Sequence, residues 1–564
     1  MGESPGPALH HRRRTPGWAH PVLERVRALL RVEEVVSGAR LLSRLPAFLR
    51  HPMSPADARM SLSRRFARRE ADFLALVRRT IYQHAASPYR HLLDLAGCTY
   101  GDVARLVQEE GVEGALSQLF RRGVYLTIDE FKGCQSVVRG STTFVVDPRQ
   151  LRNPRVSAWV LDRSSGSRGA GTVVPMDLAF LRDRAVNTCM FLDARRAAHW
   201  QFAIWAVPGS AATTFLHYAR GGMPALHWFS PVSPAAPGLP LHYRWSARAL
   251  RWASLLAGVP LPRPKLVSLD DPRPVIDWMV GVLRGGGTPH LSTNVTPAVR
   301  LCLVAHAAGV ELRGAQFSVS GEPLTAARVA AIRRVGAGVV PTYLSTEAGA
   351  MGYGCLAPAV PDEVHQPHDL VALLQVEQPT PGLAAGALLV SSLRPAAPLI
   401  LLNVALGDAA VISHRVCGCP LERLGWTTHL HTIRSYEKLT AGGMTFLDTA
   451  VVRVLEEVLP AHFGGSPTDY QLVEDEAEDG RSRLRLIVHP ALGPIAPDAI
   501  TAAFLQAISM DSGAERIMAL VWRDAQLLRV ERRVPYATPS GKILHLHTTQ
   551  RPSSSPQMRG PGRG

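Results

Sequence analysis

Between residues 21 and 97, apolar side chains return every three or four positions with arginines between them, as in PVLERVRALLRVEEVVSGARLLSRLPAFLR and SRRFARREADFLALVRRTIYQHAASPYRHLLDLAG. That period predicts amphipathic helices packed on the body of the protein, so the first hundred residues read as mostly helical. Beyond TYGDVARLVQEEGVEGALSQLFRRGVYLTIDEFKG the pattern changes to short β-rich runs: FAIWAVPG, GAQFSVSGEP and GVVPTYLSTEAG. Between the last two lies LTAARVAAIRRVG, a helix with Thr325 near its start and glycines after its end. Strand, helix and strand in this rhythm predict an α/β fold with mostly parallel sheets. The apolar run PAAPLILLNVAL suits a buried strand.

Further along, TFLDTAVVRVLEEVLP reads as a helix and YQLVEDEAEDGRSRLRLIVHP as a hairpin or an acidic loop between strands. With AAFLQAISM and RIMALVWRDAQLLRV they suggest a smaller α+β unit. The expected organisation is a partly helical N-terminal extension (1–54), a large multi-part domain (55–433), a small C-terminal domain (434–548) and a Pro/Gly/Ser/Arg-rich disordered tail (549–564).

Composition narrows the class. A chain of 564 residues with 46% hydrophobic content buries large cores and divides into domains. No apolar run is long enough to span a bilayer, and no apolar h-region follows the charged first residues, so the expectation is a cytoplasmic protein. The net charge of +16 raises nucleic-acid binding, but only Lys132, Lys265, Lys438 and Lys542 are lysines; the other basic residues are arginines spread over nearly every segment. With no reader motif beside them, a nucleic-acid partner is not expected, and anionic substrates account for the charge equally well. Oligomeric state is silent.

The chemistry-bearing elements come in a fixed order. A Gly/Ser loop, SSGSRG, contains Ser164, Ser165, Gly166, Ser167 and Gly169; glycines and hydroxyls of this kind suit phosphate oxygens, and equally an ordinary turn. It is followed by VSGEPL (Ser320, Gly321, Glu322, Pro323), by TYLSTEAG (Tyr343, Ser345, Thr346, Glu347), by Asp408 in LNVALGD, by Arg434 in TIRSYEKLTAGG and by Lys542 in PSGKI.

This series resembles the adenylate-forming (acyl-CoA synthetase/ligase) superfamily, and within it phenylacetate-CoA ligase-like proteins. VCGCP and the run from GVYLTIDEFKG to VVRGSTTF add to the likeness, which covers about residues 55–548. The resemblance implies ATP-dependent activation of a carboxylic acid to an acyl-adenylate, then transfer to coenzyme A; a carrier protein or an amine is the alternative acceptor. A nucleotide-binding relative that has lost turnover and works by binding a partner is the other class of reading.

By the same resemblance the Gly/Ser loop cradles the β- and γ-phosphates, Glu347 holds Mg²⁺, Tyr343 stacks near adenine and Asp408 accepts from the ribose hydroxyls. Lys542 bridges the carboxylate and the α-phosphate from a small domain that closes over the large one. Plain alternatives stand beside these roles: Glu347 as a helix-start glutamate, Asp408 as a turn residue, Lys542 as a turn lysine. Two departures are visible. The phosphate loop runs GAGTVVP where relatives end in Pro-Lys, leaving Arg168 as the available cation, and the hinge carries Tyr436 and Glu437 at the usual acidic pair while keeping Arg434 and Gly443.

Seven cysteines form no disulfide framework. Cys417 and Cys419 stand as C-x-C, suited to a structural zinc site completed by Cys355 and His365, with His368 and His414 as alternates. Cys98, Cys134, Cys189 and Cys302 lack partner spacing. His217, Tyr218, His227 and Trp228 read either as part of an acid pocket suited to a planar acid or as core.

Overall fold

The computed structural model describes residues 32–156, 159–163, 172–232, 241–435, 448–476, 482–509, 528–538 and 541–549. Twelve strands form one mixed sheet: β5 (Trp200–Trp205), β6 (His227–Ser230), β7 (Pro264–Leu266), β8 (Thr288–Asn294), β9 (Gln316–Ser320), β10 (Gly338–Ser345), β11 (Gly349–Gly354), β12 (Val364–His365), β13 (Val371–Gln375), β14 (Ala387–Ser392), β15 (Val404–His414) and β16 (Thr428–Ser435). Ahead of them come two hairpins, β1 (Val137–Arg139) with β2 (Thr142–Phe144), and β3 (Trp159–Arg163) with β4 (Val173–Asp177).

The strand order is β13-β14-β15-β16-β12-β11-β10-β9-β8-β5-β6-β7. From β7 to β10 all pairings are parallel, since helices such as Val295–Ala307 and Ala326–Arg333 carry the chain back between strands. From β10 to β13 all are antiparallel. The rhythm predicts a mostly parallel sheet; the antiparallel half arises because residues 349–435 contain no crossover helix long enough to return the chain to the same end.

One expected strand is displaced. The run PAAPLILLNVAL enters the sheet only at Val404, while Leu399 to Leu402 are buried in irregular backbone. Asn403 breaks the extension with φ +50°, and its amide donates to Leu116 O (2.8 Å) and Val124 O (3.1 Å). Those bonds tie the start of β15 to the helix Tyr100–Arg121 and the loop that follows it.

The helix Val32–Arg50 is not loose: Leu41, Leu45 and Leu49 enter the same core as Phe202, Phe215 and Trp228. The C-terminal sheet has the order β19-β18-β17-β20, from β17 (Tyr470–Glu476), β18 (Ser482–Val488), β19 (Leu528–Arg532) and β20 (Leu546–Thr549). Helices over Asp448–Phe463 and Pro497–Ser509 cover it with Val451, Leu455, Leu459, Ile500 and Phe504 around Tyr470 and Leu486. Because β20 begins at Leu546, the sheet carries Lys542 in the segment just before it. Among the described residues no helix is long and apolar enough to cross a membrane.

Candidate active site and metal cluster

The two lobes meet where β9 ends. Gly321 follows Ser320 with φ +80°, and a Cβ built there would lie 2.7 Å from both Cε and Nζ of Lys542 and 2.9 Å from Asn294 Oδ1. The ammonium therefore lies directly against the SGEP loop, and only glycine leaves room for it. The segment that presents Lys542 is braced on both sides. Lys542 N donates to Thr538 Oγ1 (3.1 Å), Thr538 N to Lys542 O (2.9 Å) and Gly541 N to Thr538 O (2.8 Å). A Cβ on Gly541 would collide with Leu269 at 2.7 Å, so this turn is seated against the large lobe.

Glu322, expected at the cofactor, spends its oxygens inside the protein. They accept from Thr296 N (2.8 Å), Thr296 Oγ1 (2.6 Å) and Ile543 N (3.1 Å), and its side chain is 1% exposed. Next to it a charged cluster joins the lobes: Arg328 donates from Nε to Glu456 Oε1 (2.6 Å), Thr325 Oγ1 donates to Glu456 Oε2, and His545 Nε2 lies against Glu456 and 2.9 Å from Arg328 Nη2. Burial alone would push the Glu456 carboxyl up; Arg328 and then His545 outweigh it and hold it down at about 2.

Across the sheet, Tyr343 of β10 donates its hydroxyl to Asp408 Oδ2 of β15 at 3.0 Å. Ser345 Oγ accepts from Ala348 N (3.0 Å) and closes the turn carrying Thr346 and Glu347. Glu347 is buried, and among the described residues its carboxylate has no hydrogen bond or ion pair. A buried carboxylate left without donors is the arrangement a hard cation completes, so the residue present fits Mg²⁺. Arg434 pairs across the ladder with Ala409, beside Asp408, but its Nη1 is engaged by Asp362 Oδ2 at 2.8 Å. The phosphate loop (Ser164, Ser165, Gly166, Ser167, Arg168, Gly169), the hinge residues Tyr436, Glu437 and Gly443, and Pro539 and Ser540 lie outside the described residues.

The cysteine reading gains a definite geometry. Ligand atoms of Cys355, His365, Cys417 and His429 all lie within 4.8 Å of one another. Cys419 stands beside this group, its Sγ 3.2 Å from His365 Nε2, while Cys417 Sγ is 3.6 Å from the same nitrogen. His365 Nδ1 is held by Trp426 O at 2.6 Å, which fixes the tautomer and turns Nε2 toward the thiols. The hydrogen bond from the Cys355 thiol holds Cys419 toward thiolate. His429 is fully buried, and among the described residues neither ring nitrogen has a hydrogen-bond partner, Glu363 Oε1 standing 3.8 Å from Nε2.

His429 is the residue that sequence reading missed in favour of His368 and His414. The alternation in THLHT is the signal, since strand pairing sets His429 directly opposite His365. The donor set of thiols and imidazoles fits zinc. Arg328, Glu456 and His545 also went unread, because nothing local marks a contact across more than a hundred residues.

Of the aromatic segment, Trp228 is core, with its Nε1 donating to Ala206 O (3.1 Å), and Tyr218 stacks on Phe202 at 4.3 Å. His217 is buried, with Nδ1 2.7 Å from Thr213 O; burial and then Arg184 push it well below the ordinary histidine value. His227 lies at the surface. A cleft of about 630 Å³ opens elsewhere, between Arg64, Arg155, Arg182 and Arg394, and contains none of these residues.

No family model matches this chain, and no curated protein sequence matches it. Solved structures do. A 2-hydroxyisobutyryl-CoA ligase in complex with 2-HIB-AMP and CoA is 14% identical over 88% of this chain and 91% of its own, with a TM-score of 0.43. The anthranilate CoA ligase AuaEII in complex with anthranoyl-AMP is 13% identical over 68% and 65%, with a TM-score of 0.43. The amide bond synthetase McbA from Marinactinospora thermotolerans is 16% identical over 82% and 92%, with a TM-score of 0.36. At these scores the likeness decides nothing about activity.

Proposed function

We propose that this protein is an adenylate-forming ligase in which a carboxylate oxygen attacks the α-phosphorus of ATP, pyrophosphate leaves, and the acyl-adenylate then passes its acyl group to the thiol of coenzyme A. The observation that carries the reading is the seating of Lys542 against Gly321, with Tyr343 on β10 bonded to Asp408 of β15, and with Glu347 in the turn after β10, buried and without a hydrogen bond among the described residues. Two anions must be brought into line for this reaction, and a fixed ammonium where negative charge accumulates lowers the barrier most. Asp408, whose carboxylate offers two acceptor oxygens and accepts from Tyr343 at Oδ2, suits a ribose diol. Glu347 would hold Mg²⁺, which neutralises phosphate charge when bound.

The division into a large domain up to residue 433 and a small one from 434 belongs to the same reading, as does a cytoplasmic setting, which the seven free thiols support. The cluster of Cys355, His365, Cys417 and His429, with Cys419 beside it, we read as a structural zinc site that pins β11, β12 and β16 behind the Glu347 turn. A carrier protein or an amine is the second acceptor reading, favoured by the buried Arg328–Glu456 junction, which resists the rotation that a separate thioester step would require.

The test is ATP–pyrophosphate exchange with a panel of aryl, fatty and amino acids. Acid-dependent exchange is expected, lowered at least a thousandfold in Lys542→Ala with ATP binding retained. Exchange that persists in this variant would overturn the assignment of Lys542. Absence of exchange with every acid would overturn the ligase reading.

A further inference from the structure

Arg184 is 8% exposed, in the middle of the helix Leu178–Ala194, and has no company of its own sign-opposite kind. Among the described residues its guanidinium has no hydrogen-bond acceptor and no carboxylate within ion-pair distance, and its Nε is sealed from solvent. Around it stand Tyr353, Tyr218 and His217, with Asp162 the nearest acid felt electrostatically, and burial pushes the guanidinium below its ordinary value. An isolated charge held in this way is strongly unfavourable unless something anionic completes it.

Its position says what. A Cβ on Gly349 would lie 3.5 Å from Arg184 Cδ and 2.9 Å from Phe180 Cζ, so Arg184 packs on the turn that carries Glu347. Lys542 is a separate cation at a separate place. Gly321 follows Ser320, which pairs with Thr342, and Gly349 pairs with Ser345. The two glycines are thus two residues apart along β10, roughly 7 Å, and two strand spacings, another ~10 Å, apart across the sheet. One carboxylate cannot meet both cations. The rings around Arg184 and Gly349, Phe180, Tyr218 and Tyr353, are buried aromatics.

We propose that Arg184 is a specificity-determining residue that receives a second anionic group on the acid substrate. This deepens the ligase reading and rests on it: one carboxylate is activated at Lys542, and a distal carboxylate, at the far end of an aromatic or medium-length chain, pairs with Arg184. The bidentate geometry of guanidinium and carboxylate suits that contact.

The experiment compares matched acids, phenylacetate with 4-carboxyphenylacetate and octanoate with suberate, in ATP–pyrophosphate exchange and in calorimetric titration of the acid alone. The wild type is expected to favour the doubly anionic member of at least one pair at least tenfold in kcat/KM. Arg184→Met should erase that preference, lowering the diacid about a hundredfold while leaving the monoacid within threefold, and Arg184→Lys should restore part of it. Thermal unfolding gives a readout independent of turnover: Arg184→Met should melt no lower than wild type, and a diacid should raise the melting temperature of the wild type only. Preference for the monoacid, equal losses for both acids, or a variant that melts markedly lower would each overturn the proposal. Exchange absent with every acid defeats the ligase reading instead; a diacid that still stabilises the wild type and not Arg184→Met then upholds the anion site by itself.

Discussion

Arg328 and Arg184 are both guanidinium groups buried in this protein, and their surroundings are opposite. Arg328 is enclosed by Glu322, Glu456, Thr325 and His545, drawn from both lobes, whereas Arg184 faces tyrosines, a histidine and a phenylalanine with no acid in contact among the described residues. A buried charge whose partners come from the chain itself fastens structure together. One without partners keeps its interaction free energy for a ligand. The same contrast separates Glu322, whose oxygens are fully engaged, from Glu347, whose oxygens are not, although both were read from sequence as nucleotide residues.

The largest effect expected from breaking this contrast is at the junction. Arg328→Ala leaves Glu322 and Glu456 buried without their cation, and a loss of about 3–5 kcal/mol in urea unfolding is expected. The double variant Arg328→Met with Glu456→Leu removes both charges and should recover most of that loss. Equal instability of the single and double variants would mean that packing, not charge pairing, holds the lobes together.

Acid titration sharpens the point. The folded Glu456 carboxyl sits at about 2, below its ordinary value near 4.5. Its contribution is therefore complete above pH 4.5 and is lost as pH falls from there toward 2. That contribution is about 3 kcal/mol. Urea midpoints measured from pH 6 to pH 3 should fall in the wild type and much less in Glu456→Gln. Parallel curves for the two proteins would show that other carboxylates govern the acid limb.

What sequence made legible follows the same division. Local pattern predicted the helix after Thr325, the hairpin of β17 and β18, and the order of motifs that ends in Lys542, because periodicity, capping and turn chemistry act over a few residues. Tertiary contacts were hidden: that Glu322 binds Thr296 and Ile543 rather than pointing outward depends on how β9 meets the C-terminal segment. The cysteine–histidine cluster lies between. C-x-C on 417–419 was visible as a motif, but His429 enters through its ladder partner His365, a register that no spacing reveals.

His429 is the imidazole counterpart of Arg184, buried with neither ring nitrogen hydrogen-bonded among the described residues. If its missing partner is a metal, purified protein should carry about one zinc per chain by elemental analysis, and His429→Ala or Cys417→Ser should release it and lower the melting temperature by several degrees. His368→Ala, outside the cluster, should keep the metal. Metal-free wild-type protein that survives strong chelators unchanged would remove zinc from the account.

The smallest effect belongs to a group that already has its partner. Tyr343→Phe removes one hydroxyl donor from Asp408, a bond of 3.0 Å between two half-buried groups, and such bonds contribute about 1 kcal/mol. The KM for ATP should rise about fivefold with kcat little changed, because a ribose contact made equally before and during reaction is uniform binding. Glu347→Gln, by contrast, takes charge from a carboxylate with no partner among the described residues, so its loss should fall on kcat and deepen at low Mg²⁺. If Tyr343→Phe instead depresses kcat as strongly as Glu347→Gln, then Tyr343 holds Asp408 for the reaction itself, and partnership inside the protein ceases to mark a residue as merely positioning.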